Sequence, residues 1–249
     1  KEAKRRIAYD EILANQLVLA ISRNKFKTES GAKIIPSGEF IEPFVKSFGY
    51  ELTGAQKRVL SEVMTDLKSE NRMLRLLQGD VGSGKTIIAM IALLATAESG
   101  GQGAFMVPTE ILAQQHFETF TKLLDKSGLS DKVRIILLTG KDKGKIKTEK
   151  LSLLENGLAN IVIGTHAIFQ EKVKFKNLLL SVIDEQHKFG VHQRLSLTNK
   201  NSENKCNILT MTATPIPRTL AMTSFGDMDL SIIDEMPPNR KEVETKVMN

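Results

Sequence analysis

Met73-Leu-Arg-Leu-Leu-Gln-Gly79-Asp-Val-Gly-Ser-Gly-Lys-Thr86, running on into the apolar stretch Ile87–Ala97, decides how this chain folds. A short apolar run followed by a glycine-rich turn and then a longer apolar run reads as strand, tight loop and helix. Gly79, Asp80, Val81, Gly82, Ser83, Gly84, Lys85 and Thr86 fit the spacing G-x-x-x-x-G-K-[ST]. Each residue type has a chemical reason. Glycines let the backbone curl until its N–H groups converge on an anion, and the following helix offers its positive end to that anion. Lys85 brings a point charge to the outer phosphates, and the Thr86 hydroxyl suits Mg²⁺. The eight residues are therefore expected to bind ATP with Mg²⁺.

Outward from this loop the pattern repeats. Apolar runs at 73–77, 104–107, 133–138, 161–163, 178–183 and 207–211 alternate with helical stretches at 85–97, 110–124, 145–156 and 216–225. Strands that are apolar throughout and separated by helices imply an α/β fold whose mostly parallel sheet is covered on both faces. Such sheets bind ligands beyond the carboxyl ends of their strands.

The N-terminal part differs. Ile7, Ile12, Leu13, Leu17, Leu19 and Ala20 recur at helical spacing, which predicts an amphipathic helix over 5–22. Gly31, Pro36 and Gly38 mark loops, and Pro43 opens a short helical segment that ends at Gly49. Thr53 is placed to cap a helix running to about Ser69, with Val59, Leu60, Val63, Met64 and Leu67 on its buried face. Pro237-Pro238 reads as a linker, and 243–248 as a further strand.

The composition is that of a globular protein: 249 residues, 41% hydrophobic and 26% charged. No run is long enough to span a bilayer, so no membrane partner is expected. Cys206 is the only cysteine, which excludes an intrachain disulfide, suits a reducing compartment, and fits a small core residue. The net charge of +6 permits a polyanionic partner without requiring one. Two lysine clusters, 141–150 and 172–176, read as solvated surface, the second along a strand-like segment; the first has an address that would also let it touch DNA.

A second chemical feature lies at the end of the run Leu178–Ile183, where Asp184-Glu185-Gln186-His187 follows. An acid at a strand tip adjoining the phosphate loop is where a second magnesium anchor belongs. Asp184 would hold the metal and Glu185 would position or deprotonate the attacking water. A helix N-terminus also favours acids, and that reading remains open on these residues alone. His187 fits a polar link from the γ-phosphate to the neighbouring strand tip. His116 and His166 are scattered, and with one cysteine no zinc site is expected.

Gly79–Thr86, Asp184–His187 and Thr210-Met-Thr-Ala-Thr-Pro215 together resemble three motifs of the superfamily 2 helicases. The wording of Val107–His116, Ile163–Ala167 and Ala213–Leu220 is similar to bacterial ATP-dependent helicases of branched DNA. The resemblance implies a RecA-like lobe over 51–233. An N-terminal helical region over 1–50 would precede it, and a linker at 234–249 would start a second lobe. It implies that Gln56 reads adenine, although a glutamine after a capping threonine fits the same position. It also implies that Thr212 and Thr214, with His187, couple hydrolysis to movement.

By the same resemblance, Pro108, Thr109, Thr139, Gly140, Gly164, Thr165 and His166 touch a DNA backbone. Ordinary turn and capping chemistry explains any one of them taken singly. Lys85, Asp184 and Glu185 would carry catalysis. The expected partners are branched duplex DNA, such as forks and Holliday junctions, together with a second lobe and a wedge domain of the same parent chain. The expected setting is the bacterial cytoplasm. Two alternatives are a translocase of the transcription-repair coupling type and a nucleotide-gated DNA-binding module without turnover.

Overall fold

A computed structural model describes residues 2–28, 30–170, 172–184, 206–214 and 228–236. Glu185, His187, the stretch 216–225, Pro237-Pro238 and the run 243–248 lie outside the described residues.

The chain begins with helix α1 (Glu2–Thr28), then α2 (Ile41–Lys46) and α3 (Gly54–Lys68). Alternation follows: β1 (Leu74–Gly79), α4 (Lys85–Glu98), β2 (Gln102–Met106), α5 (Glu110–Ser127), β3 (Ile135–Leu138), α6 (Gly144–Glu155), β4 (Ile161–Gly164) and a 3₁₀ turn at His166–Phe169. Then come β5 (Leu178–Ile183), β6 (Asn207–Thr212) and β7 (Asp229–Ile233). The strands form one sheet in the order β3-β4-β2-β5-β6-β1-β7, and every ladder in it is parallel. The α/β fold read from the apolar runs is thus present. β7, which those runs did not single out, is an edge strand beside β1.

Local chemistry sets the helix ends. Thr53 caps α3 in a capping box: its hydroxyl accepts from the Gln56 N–H while the Gln56 side chain accepts from the Thr53 N–H. Thr109 caps α5 by accepting from the Leu112 N–H, and Gly128 closes that helix at φ 70°. On α3, Val59, Val63 and Leu67 are fully buried at a spacing of four. Each such side chain contributes about 1.5–3 kcal/mol by leaving water, which fixes the face that packs. α4 is apolar around its whole circumference and buried from Ile88 to Ala97, because it lies between the sheet and the N-terminal helices.

One core joins α3, α4 and α5 to the sheet and takes in Ile34, Phe44 and Phe48. The segment from about residue 30 onward therefore shares the core of the sheet instead of standing apart from it. Glu98, at the end of α4, fastens this segment: its carboxylate accepts from the Ser37 hydroxyl and from the N–H groups of Gly38 (2.6 Å), Glu39 (2.8 Å) and Phe40 (3.3 Å). On the opposite face a second cluster joins Leu154 of α6 and Ile168 to β3, β4 and β5.

Two readings need correction. α1 is a helix, longer than the spacing suggested, but Ile7 (66%), Ile12 (59%) and Leu17 (54%) are exposed, so these residues do not dock on the core. The lysine segment 172–176 is not a strand. Val173 and Phe175 are buried while Lys172, Lys174 and Lys176 face solvent, so the alternation is genuine but comes from an extended loop outside the sheet. Cys206 is buried as expected; burial pushes its thiol up to about 11, against the opposing Ser181 hydrogen bond. Among the described residues no helix is long and apolar enough to cross a membrane.

Candidate active site

The carboxyl ends of the strands carry nearly every residue singled out by chemistry. β1 ends at Gly79, and the chain turns through Asp80–Gly84 into α4. Gly82 and Gly84 have φ of 82° and 95°, a region that side chains disfavour. A Cβ on Gly79 would lie 2.6 Å from the Ser83 hydroxyl, and one on Gly84 would collide with the Gln56 amide. The loop is thus wound as tightly as glycine permits. α3 and α5 have side-chain caps, whereas α4 starts at Gly84 with no side-chain cap hydrogen bond.

Lys85 is buried and donates to the loop's own carbonyls, Gly79 at 2.5 Å and Asp80 at 2.9 Å. The Ser83 hydroxyl is buried without a hydrogen-bond partner. A glycine cradle, an uncapped helix start, a buried cation and an orphaned hydroxyl suit a polyphosphate. Thr86, half-buried in the first turn of α4, is one candidate metal ligand.

Gln56 is 1% exposed, so it is no surface glutamine. Its Oε1 accepts from the Thr53 N–H (3.0 Å) and its Nε2 donates to the Ser83 carbonyl (2.8 Å). It braces the loop from α3. The tip of β7 meets the same turn: Glu235 accepts from the Ala55 N–H (3.0 Å), and Arg58 donates to the Ile232 carbonyl (3.0 Å) and to Asp234 (2.7 Å). Nothing in the sequence spacing pointed to this clamp, because its partners are separated by the whole sheet.

Asp184 follows β5 directly, and its N–H donates to the Met106 carbonyl at 2.8 Å, which extends the ladder to β2. β5 and β1 are second neighbours in the sheet, with β6 between them, and not adjoining strands as read from the sequence. At the usual strand spacing the two tips stand about 10 Å apart. That gap would admit phosphates together with a metal held by residues of the two tips. The turn after β6 fills the floor between them: Thr212 is buried, its hydroxyl lies 2.9 Å from that of Thr214, and it accepts from the Thr214 N–H.

The residues read as DNA contacts fall on three other tips: Pro108 and Thr109 after β2, Thr139 and Gly140 after β3, and Gly164, Thr165 and His166 at β4. These strands are neighbours in the order β3-β4-β2. The strip is contiguous, but its members differ. Thr109, Gly140 and His166 are exposed and Pro108 is half-buried, while Thr139, Gly164 and Thr165 are buried. A Cβ on Gly164 would strike the Leu138 carbonyl, so close strand approach already accounts for that glycine. Thr139 shapes the turn, donating its N–H to Asp142 and accepting from the Lys141 N–H. Next to it α6 opens with Lys143, Lys145 and Lys147 around its N-terminus. Positive charge there opposes the helix dipole and suits an anion.

The residues read as DNA contacts and those read as phosphate and metal contacts fall on separate halves of the sheet. Tips β3, β4 and β2 form one half and β5, β6, β1 and β7 the other, with the boundary between β2 and β5. At that boundary sits His116 of α5, a residue the sequence reading set aside. Its Nε2 lies 3.9 Å from Asp184 Oδ2, and its ring packs edge-on against Phe105 and Phe120.

A wound glycine loop at the tip of an interior parallel strand, with an acid two strands away and a threonine turn between, defines a RecA-like P-loop NTPase lobe. The chain belongs to the DEAD/DEAH box helicase family, whose model matches residues 53–223. It is 50% identical over 246 residues to the ATP-dependent DNA helicase RecG of Bacillus subtilis, covering 98% of this chain and 35% of that protein. It is 46% identical to RecG of Thermotoga maritima, covering 100% of this chain and 31% of the relative. A solved structure of RecG bound to a three-way DNA junction superposes with a TM-score of 0.84 at 43% identity, covering 97% of this chain and 32% of that one. The helicase MrfA, at 20% identity and a TM-score of 0.61, shares the fold. The chain spans about a third of the length of the curated relatives it matches.

Proposed function

We propose that this chain is the first motor lobe of an ATP-dependent DNA helicase that remodels branched DNA. The observation that carries the reading is the position of the phosphate loop and Asp184 on either side of the Thr212–Thr214 turn, at the carboxyl ends of neighbouring strands of one parallel sheet. Gly79–Thr86 would receive the phosphates through backbone N–H groups and the start of α4. Lys85 would leave the carbonyls of Gly79 and Asp80 for the outer phosphates. The Thr86 hydroxyl and the Asp184 carboxylate are the residues that would hold Mg²⁺, which when bound neutralises charge developing on the transferred phosphoryl group. Glu185 would position or deprotonate the attacking water, and Gln56 would contribute to the adenine site while bracing the loop.

His187, Thr212 and Thr214 would sense the γ-phosphate and pass its loss to neighbouring parts of the motor. Pro108, Thr109, Thr139, Gly140, Gly164, Thr165 and His166 would line or shape a path for the DNA backbone, with the lysines at the start of α6 beside it. Contacts of this kind position a strand without reading its sequence. A lobe over about 51–233, with 30–50 packed on it, would work against a second lobe and a wedge domain of a longer parent chain, in the bacterial cytoplasm. The likeness to RecG proteins, one of them solved on a three-way junction, supports branched DNA over a transcription-coupled role.

The test is DNA-stimulated ATPase of the full-length protein on forked and linear duplex. Stimulation by the fork well above that by linear DNA is expected, together with loss of turnover but not of nucleotide binding in Asp184→Asn. Equal response to both DNAs would overturn the branched-DNA reading, and undiminished turnover in Asp184→Asn would overturn the motor.

A further inference from the structure

The boundary between the two halves of the sheet is crossed by one side chain whose chemistry the proposed reaction has not used. His116 stands two turns into α5, the helix that Thr109 caps beside the proposed DNA strip. Its ring is held edge-on to Phe105 at 5.0 Å and an interplanar angle of 85°, and lies 6.0 Å from Phe120; these two rings stack on each other at 5.4 Å. Phe105 in turn is paired to Val182, two residues before Asp184. The imidazole therefore has little freedom, and its Nε2 faces Asp184 Oδ2 at 3.9 Å with both side chains mostly buried.

We propose that His116 is a positioning residue for Asp184, holding one carboxylate oxygen so that the other is presented toward the phosphate loop. The proposal rests on the reading of Asp184 as a metal-holding carboxylate. The 3.9 Å separation is outside hydrogen-bond range, and the broad terminal torsion of an aspartate allows the carboxylate to turn toward the ring. An imidazole N–H can donate to a carboxylate oxygen and so fix its orientation. Carboxylates that bind metals are commonly held by such outer hydrogen bonds, and losing one weakens metal affinity about tenfold or more.

The experiment uses the full-length protein with His116→Phe, His116→Gln and Asp184→Asn. Phenylalanine keeps the packing against Phe105 and Phe120 and removes the donor, whereas glutamine places its amide nitrogen near the position of Nε2. Mn²⁺ binding in the presence of ADP, followed by electron paramagnetic resonance, reads the site without turnover. Metal-free ADP affinity and the melting temperature serve as controls. The expected result is about a tenfold weaker Mn²⁺ affinity in His116→Phe with both controls unmoved, and substantial recovery in His116→Gln.

Wild-type Mn²⁺ affinity in His116→Phe, alongside a loss in Asp184→Asn, overturns the positioning role and leaves the reading of Asp184 intact. Equal loss in the Phe and Gln variants also overturns it, because packing would then be the cause. Wild-type Mn²⁺ affinity in Asp184→Asn overturns the reading of Asp184 itself. Should His116→Phe fail to fold, His116→Leu takes its place with the same expected and overturning results.

Discussion

Gln56→Ala removes the side chain that ties α3 to the phosphate loop. Two hydrogen bonds are lost, Nε2 to the Ser83 carbonyl at 2.8 Å and Oε1 from the Thr53 N–H at 3.0 Å. At about 1 kcal/mol each, the net loss of stability is about 2 kcal/mol. For a domain of this size that lowers the melting temperature by about 4–8 °C. The nucleotide consequence follows from the first bond alone. With Ser83 released, the loop must be ordered by the phosphates themselves, and about 1 kcal/mol is a loss of about fivefold in affinity. Because the brace acts on the phosphate loop and not on the base, its part of the loss should be shared by ATP and GTP, with any further loss for ATP coming from the adenine site. The assay is thermal unfolding combined with equilibrium binding of fluorescent ATP and GTP analogues. A loss confined to ATP, with an unmoved melting temperature, would refute the brace and leave base recognition as the whole role of Gln56.

Gly84→Ala should abolish nucleotide binding and lower the melting temperature, since φ of 95° costs an L-residue about 1–2 kcal/mol and the new Cβ strikes the Gln56 amide; wild-type ADP affinity in a calorimetric titration would contradict this. Glu98→Gln should destabilise the protein at neutral pH and much less in acid. Burial raises the Glu98 pKa, but the Ser37 hydroxyl and the N–H groups of Glu39, Phe40 and Gly38 outweigh it, so the folded value lies below the ordinary 4.5. A depressed carboxylate stabilises the fold above its unfolded pKa, and that contribution disappears as the pH falls through the folded one. Urea unfolding of wild type and variant from pH 7 to pH 3 should therefore show the gap narrowing below about 4.5; a constant gap would exclude the mechanism. Residues 1–249 alone should bind nucleotide weakly and turn it over poorly, because motors of this class stabilise the transition state with an arginine from outside the phosphate-loop lobe, which the proposed second lobe would supply; robust steady-state ATPase of residues 1–249 would contradict this.

Local patterns in the sequence determined a good deal. The phosphate loop was legible because its geometry is largely a backbone property, set by glycine positions and a following helix. The cap at Thr53, the buried stripe of Val59, Val63 and Leu67, and the strand Leu178–Ile183 were legible for the same reason, since period and capping act over a single turn or strand. Tertiary structure alone decided the order of the strands, and with it that β6 separates the loop from Asp184 and that β7 closes the edge beside β1. Parallel neighbours are chosen by crossover connections and long-range packing, which leave no local period to read. Burial of Gln56 under the loop, the clamp of Arg58 and Ala55 on the tip of β7, and the approach of His116 to Asp184 depend on that order. A lone histidine or glutamine carries no signal of its neighbour until the sheet has brought the two together.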